Sequence, residues 1–89
     1  MALATEQCEI LAELLDPERE IPERTTAVIA RRLNMSPRQV ASRLAELEAR
    51  SPPLVRQVLD EDWHVHAWRA TPDARAAVER WCRGGLAND

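Results

Sequence analysis

The chain has 89 residues, 45% of them hydrophobic and 30% charged, with a net charge of −3. That size supports one domain, spanning 1–89, around a single core, and that composition belongs to a folded chain rather than a disordered one. No apolar run approaches the ~20 residues of a membrane span, no signal-peptide pattern opens the chain, and two cysteines are too few for a disulfide framework or a cysteine-rich zinc site. A cytoplasmic protein with both thiols reduced is the expectation.

The first predicted helix spans 5–15. Thr5 is a good N-cap, and Glu6 and Glu9 suit the positive end of the helix dipole. Cys8, Leu11 and Leu15 recur at helical spacing, widened by Ile10 and Leu14. Asp16-Pro17 ends the helix, because the residue before proline avoids helical angles. Residues 17–24 read as a charged loop anchored by Ile21. A short helix over 26–33 starts at Thr25 or Thr26. It turns Ala27, Ala30 and Leu33 inward, with Ile29 nearby. Asn34 closes it, asparagine being the best non-glycine residue for a left-handed cap, and Met35 bridges the turn.

Ser36-Pro37-Arg38-Gln39 is a dense start signal: a cap, a first-position proline and a capping-box glutamine. The helix it opens spans 36–50, with Val40, Leu44 and Leu47 inward at i, i+4 and i+7. At ~100° per residue, Arg38, Ser42 and Ala45 point away from the core, and Arg43 and Glu46 flank that outer face. The helix stops before Pro52-Pro53. Leu54 to Leu59 and Trp63 to Ala70 read as the strands of a hairpin over 54–70, joined by Asp60-Glu61-Asp62. Alternation sets Trp63 with Val65 and Ala67 on one face, and Trp68 with His64, His66 and Ala70 on the other. The two tryptophans cannot both enter one core. Thr71-Pro72-Asp73 caps a last helix over 72–83, with Ala74, Ala77, Val78 and Trp81 on one face and Gly84-Gly85 beyond its end.

Charge is distributed unevenly along these elements. Residues 1–23 hold seven acids and one arginine, residues 24–58 seven arginines and two acids, and residues 59–89 six acids and four arginines. Screening removes charge beyond ~8–10 Å, so the basic middle third can face an anion although the whole chain is acidic. All twelve bases are arginine; there is no lysine, tyrosine or phenylalanine.

The order helix, helix, tight turn, helix, hairpin, helix is that of a helix-turn-helix followed by a wing. The sequence resembles the winged helix-turn-helix regulators, most closely the MarR-type transcription factors. Leu3, Thr5, Gln7, Ile10, Leu11 and Leu14 echo the family's opening, with one residue fewer before the glutamine. Thr26, Ile29-Ala30, Leu33, Asn34, Met35-Ser36, Val40, Leu44 and Leu47 echo its helix-turn-helix, and Ala70-Thr71-Pro72-Asp73-Ala74-Arg75 its closing segment. The resemblance implies a mostly helical α+β fold with a three-helix core, a β-hairpin wing and a C-terminal helix. It also implies binding to double-stranded DNA by helix 36–50. Three departures stand out. The wing tip is acidic where the family carries arginine between acids, so a minor-groove wing contact is not expected. Pro52-Pro53 replaces the glycine that leads into the wing. The long terminal helices of the family's dimer have no room in 89 residues, so a homodimer would use the terminal helices or the wing, with Trp81 or Trp63 at the seam.

The candidate reading surface is Ser36, Arg38, Gln39, Ser42 and Arg43. An exposed helix N-terminus offers N–H groups to phosphate, arginine pairs bidentately with guanine and glutamine with adenine. Mutual capping of Ser36 and Gln39 competes with that role. Thr25, Thr26, Arg24, Arg31 and Arg32 are candidate phosphate contacts, against ion pairing with Glu20 and Glu23. Arg56 and Arg69, on the hairpin strands, are further candidates in competition with Asp60 to Asp62. His64 and His66 share a strand face, and with Asp62 or Cys82 they fall short of the three or four ligands a metal site needs, so no cofactor or metal is expected. Cys8 and Cys82 read first as small buried hydrophobes and second as a redox pair, since their helices can pack near each other. The chain has no glycine-rich phosphate loop and no nucleophile placed beside a base, so the reading is not an enzyme. The alternative to DNA binding is a winged-helix protein-interaction module, favoured by the acidic total, the acidic wing and the hairpin tryptophan.

Overall fold

The computed structural model describes residues 3–18, 23–60 and 65–82, with the backbone alone at 60 and 65. Along the chain run α1 (Thr5–Leu14), α2 (Thr26–Leu33), α3 (Pro37–Glu48), β1 (Val55–Asp60), β2 (Val65–Ala70) and α4 (Ala74–Trp81). The mostly helical α+β order expected from sequence is present, and it is a winged-helix fold. Ile21, the turn residues Glu61 and Asp62, Trp63, His64 and Gly84-Gly85 lie outside the described residues.

Local signals start the helices, with two corrections. Ala4, not Thr5, is the N-cap of α1, and since alanine has no capping oxygen, Gln7 supplies the contact: its Oε1 accepts from Ala4 N at 2.8 Å. Thr71 does not cap α4; its hydroxyl donates to the Pro53 carbonyl at 2.7 Å, and the helix begins at Ala74, two residues later than expected. Thr25 does cap α2, accepting from Val28 N at 3.2 Å. Asn34 closes that helix in the left-handed region, at φ 56° and ψ 45°, and Met35 N reaches back to Ala30 O at 2.9 Å.

The core forms where these helices face one another. Ile10, Leu11, Ile29, Val40, Leu44 and Leu47 are fully buried, joined by Val55 from the hairpin and Val78 from α4. The stripe of α3 is the expected one. That of α1 is centred on Ile10 and Leu11, with Cys8 and Leu15 half-buried at its edges. In α2 the inward face is turned toward Ile29, leaving Ala27 exposed and Leu33 half-buried. Burying Ile29 removes far more apolar surface from water than burying Ala27, and burial follows area.

β1 and β2 pair antiparallel from Val55↔Ala70 to Asp60↔Val65. Leu54 is buried just before β1, and its N–H donates to Leu47 O at 3.1 Å, tying the hairpin stem to the end of α3. The expected loop 17–24 ends in an additional strand contact. Arg24 pairs with Trp68 through two backbone bonds, Arg24 N to Trp68 O at 2.9 Å and Trp68 N to Arg24 O at 2.7 Å. The Trp68 ring is buried in the core, and its Nε1 donates to Thr26 Oγ1 at 3.0 Å.

The expectation of two reduced thiols is overturned. Packing of α4 against α1 brings Cys8 and Cys82 to a Cα separation of 5.7 Å, and they are joined as a disulfide across 74 positions of sequence. Trp81, one position earlier, is half-buried against the core, with the guanidinium carbons of Arg50 and Arg80 5.5 and 5.6 Å from its ring centre. Among the described residues no helix is long and apolar enough to cross a membrane.

Candidate nucleic-acid interface

The first turn of α3 is exposed from Ser36 to Gln39. Pro37 has no N–H to satisfy and its fixed φ suits the first helical position. Ser36 Oγ accepts from Gln39 N at 3.1 Å, and Gln39 Oε1 accepts from Ser36 N at 3.2 Å. The competition foreseen between capping and reading is thus present in the structure. Pairing with adenine needs both the oxygen and the nitrogen of a glutamine amide, and here the oxygen is engaged. The Gln39 amide nitrogen and the Ser36 hydroxyl proton remain as donors. Arg38 and Ser42 are exposed on the outer face, as the helical wheel requires, and Arg38 has no ionic partner among the described residues.

Arg43, expected beside them as a reader, is held elsewhere. Its Nε donates to Glu6 Oε1 of α1 at 2.8 Å, and its Nη1 lies 3.0 Å from both carboxylate oxygens of Glu46. Gln7 completes the cluster by donating from Nε2 to Glu46 Oε1 at 3.0 Å. The Glu6 hydrogen bond, and then that of Glu46, hold the Arg43 guanidinium above its ordinary pKa, so it stays charged. Arg43 in this structure is a tie between α1 and α3. The i,i+3 spacing of Arg43 and Glu46 was a local sign of pairing. Nothing local pointed to Glu6 or Gln7.

The flanking candidates divide in the same way. Arg24 is buried, its Nη1 donating to the Glu23 carbonyl at 2.9 Å and its Nε 4.0 Å from Glu13, which removes it from the phosphate set. Arg32 pairs with Glu13 at 2.9 Å, not with the nearer-in-sequence Glu20 or Glu23. Arg69 lies 3.6 Å from Glu23. Arg31 and Arg56 are exposed and have no ionic partner among the described residues. Thr25 and Thr26 accept bonds from Val28 N and Trp68 Nε1, and each keeps a hydroxyl proton to donate. The register sets Arg56 directly opposite Arg69, a like-charge pair that the sheet disfavours unless an anion or an acid such as Glu23 relieves it.

Three arginines of the basic middle third, Arg24, Arg32 and Arg43, are therefore answered by the acidic N-terminal segment folded against it, through Glu13 and Glu6, and Glu23 answers Arg69 of β2. Arg31 at the end of α2, Arg38 at the start of α3 and Arg56 on β1 are left over. His66 is exposed on β2, and its expected companions His64 and Asp62 fall outside the described residues.

Three solved structures of Lactococcus lactis ZitR share this fold. One single-site mutant matches with a TM-score of 0.72 and 27% identity, over 90% of this chain and 51% of ZitR. A cysteine-to-serine mutant matches at 0.72 and 25%, over 88% and 49%. A double mutant in its apo form matches at 0.67 and 28%, over 85% and 55%. The chain spans about half the length of the ZitR chains it matches. No protein-family model and no curated protein matches it.

Proposed function

We propose that the chain binds double-stranded DNA in a sequence-specific manner, as a small transcriptional regulator that lays α3 in the major groove. The observation that carries this reading is Arg38: an arginine with no carboxylate against it among the described residues, on the exposed first turn of the second helix of a helix-turn-helix, in a winged helix. Arg38 contacts base edges, with Ser42 and the amide nitrogen of Gln39 beside it. Arg31, the hydroxyls of Thr25 and Thr26, and Arg56 contact phosphate and set register. The likeness to ZitR, a transcriptional regulator, supports the reading at the level of the fold. A homodimer, with Trp81 near its seam, would place two copies of α3 about 34 Å apart on symmetric half-sites.

The test is selection of bound sequences from random duplex DNA, with affinity followed against salt. Each phosphate neutralised contributes about 0.9 to the slope of log affinity against log salt, so a steep fall is expected. Arg38→Glu removes the selected preference. No retention on duplex DNA at low salt overturns the reading.

A protein-interaction module is the second reading, and the observation favouring it is the withdrawal of Arg43 into carboxylate pairs on an acidic chain. It predicts indifference to both DNA and heparin columns, with α3 or the hairpin protected by a protein partner instead.

A further inference from the structure

We infer that Cys8 and Cys82 are a reversible dithiol–disulfide site, and that its state sets how firmly Glu6 holds Arg43. The effect on DNA rests on the reading proposed above; the thiol chemistry does not. The chain has two cysteines, and the fold joins them across 74 positions. Cys82 caps the end of α4 and is buried, whereas Cys8 is half-buried at the edge of α1, so a small reagent meets Cys8 first.

The site sits at a mechanical junction. Glu6, Gln7 and Cys8 are consecutive: the first holds Arg43, the second holds Glu46, and the third holds the end of α4. One turn of α1 is thereby gripped by α3 on one side and by α4 on the other. The rest of α1 is fixed by Ile10, Leu11 and Leu14 in the core and does not depend on the bond. A first helical turn lacks intrahelical partners for its N–H groups and frays most readily. With Cys8 bonded, that turn is anchored and Glu6 stays against Arg43. With Cys8 reduced, the turn keeps the buried Leu3 and the Gln7 bonds but loses its tie to α4, and the pair loosens. Both partners are about a third exposed, at 37% and 34%, so the pair is worth a factor of roughly two to five, the value of a surface ion pair.

The oxidant class that fits is a low-molecular-weight disulfide. The Cys8 thiolate attacks one of its sulfurs, forming a mixed disulfide and releasing one thiolate. The Cys82 thiolate then attacks the Cys8 sulfur, forming the internal bond and releasing the second. The small disulfide is reduced by two electrons, the protein pair is oxidised by two, and the two cysteine protons end on the released thiolates. Excess small thiol runs both steps backwards.

Equilibration of the full chain in glutathione buffers of graded ratio, followed by alkylation and mass measurement, reads the site. The expected result is passage between two free thiols and none with little single-thiol form, while Cys82→Ser leaves Cys8 carrying a mixed disulfide. Solvent exchange of the Arg43 Nε–H, followed in a nitrogen-15 spectrum, is slower in the oxidised protein. The reduced protein binds duplex DNA two- to fivefold more tightly, and Arg43→Gln removes that difference. Two thiols that titrate independently, or equal Arg43 exchange in both states, overturn the inference. If neither form binds DNA, the function proposed above fails, and the thiol and exchange measurements still decide this one.

Discussion

The first turn of α3 and its middle carry the same residue type in opposite circumstances. Arg38 projects into solvent with no ionic partner among the described residues, whereas Arg43, five positions on, is held by Glu6 and Glu46. Both lie off the buried stripe, but five steps of ~100° set them about 140° apart on the wheel, Arg38 outward and Arg43 at the edge of the stripe. At that edge a third element, the start of α1, passes beside Arg43. An arginine on a recognition helix is therefore a candidate reader only where no other element brings a carboxylate to it.

That contrast can be broken most severely by removing the platform under both residues. Leu44→Ala empties a fully buried site and should cost about 2–5 kcal/mol of stability, seen as a lower midpoint in urea denaturation. DNA affinity then falls for the unfolded fraction alone. A sharper cut uses the arginines separately. Arg38→Glu should lower specific DNA affinity by roughly 10- to 100-fold, the worth of a bidentate base contact, and leave the urea midpoint within about 0.5 kcal/mol of the parent. Arg43→Glu sets a third carboxylate beside Glu6 and Glu46 and should lower stability by about 1 kcal/mol as well as weaken binding, so the two charge reversals differ in denaturation. Ser36→Ala removes the acceptor for Gln39 N and should cost about 1 kcal/mol, with fraying visible as faster amide exchange in the first turn of α3. Glu6→Gln is the smallest change: under ~1 kcal/mol of stability, and tighter DNA binding as Arg43 is released.

The parts of the molecule legible in the sequence are those written in short-range signals. Ser36-Pro37 and Gln39 start α3, and Val40, Leu44 and Leu47 bury one side of it, because caps and helical periodicity act over a turn or two. Asn34 closes α2 for the same reason. The parts that escaped are long-range. Arg43 meets Glu6 across 37 positions, and Arg24 pairs with Trp68 through backbone groups that carry no side-chain signature; Cys8 and Cys82, 74 positions apart, stood in the sequence only as a second reading, behind two reduced thiols. The misplaced cap at Thr71 has a similar cause: a threonine before proline is a good cap, yet its hydroxyl found the Pro53 carbonyl of another segment. The charge division into thirds was visible in sequence, and its cancellation was not, since pairing of Glu6, Glu13 and Glu23 with arginines is a property of the folded surface. Among the described residues that cancellation leaves Arg31, Arg38 and Arg56 as the candidate arginines without a carboxylate partner.

The Arg24–Trp68 bridge bears on how the molecule meets a rigid ligand. Its two backbone bonds and the indole bond to Thr26 join the hairpin to the start of α2, and the Leu54–Leu47 bond joins it to α3. Arm and rod then behave as calliper jaws locked at one width. A duplex bound as proposed above would have to match that gap or bend to it, so discrimination between sites would extend to their stiffness, at base pairs no side chain touches.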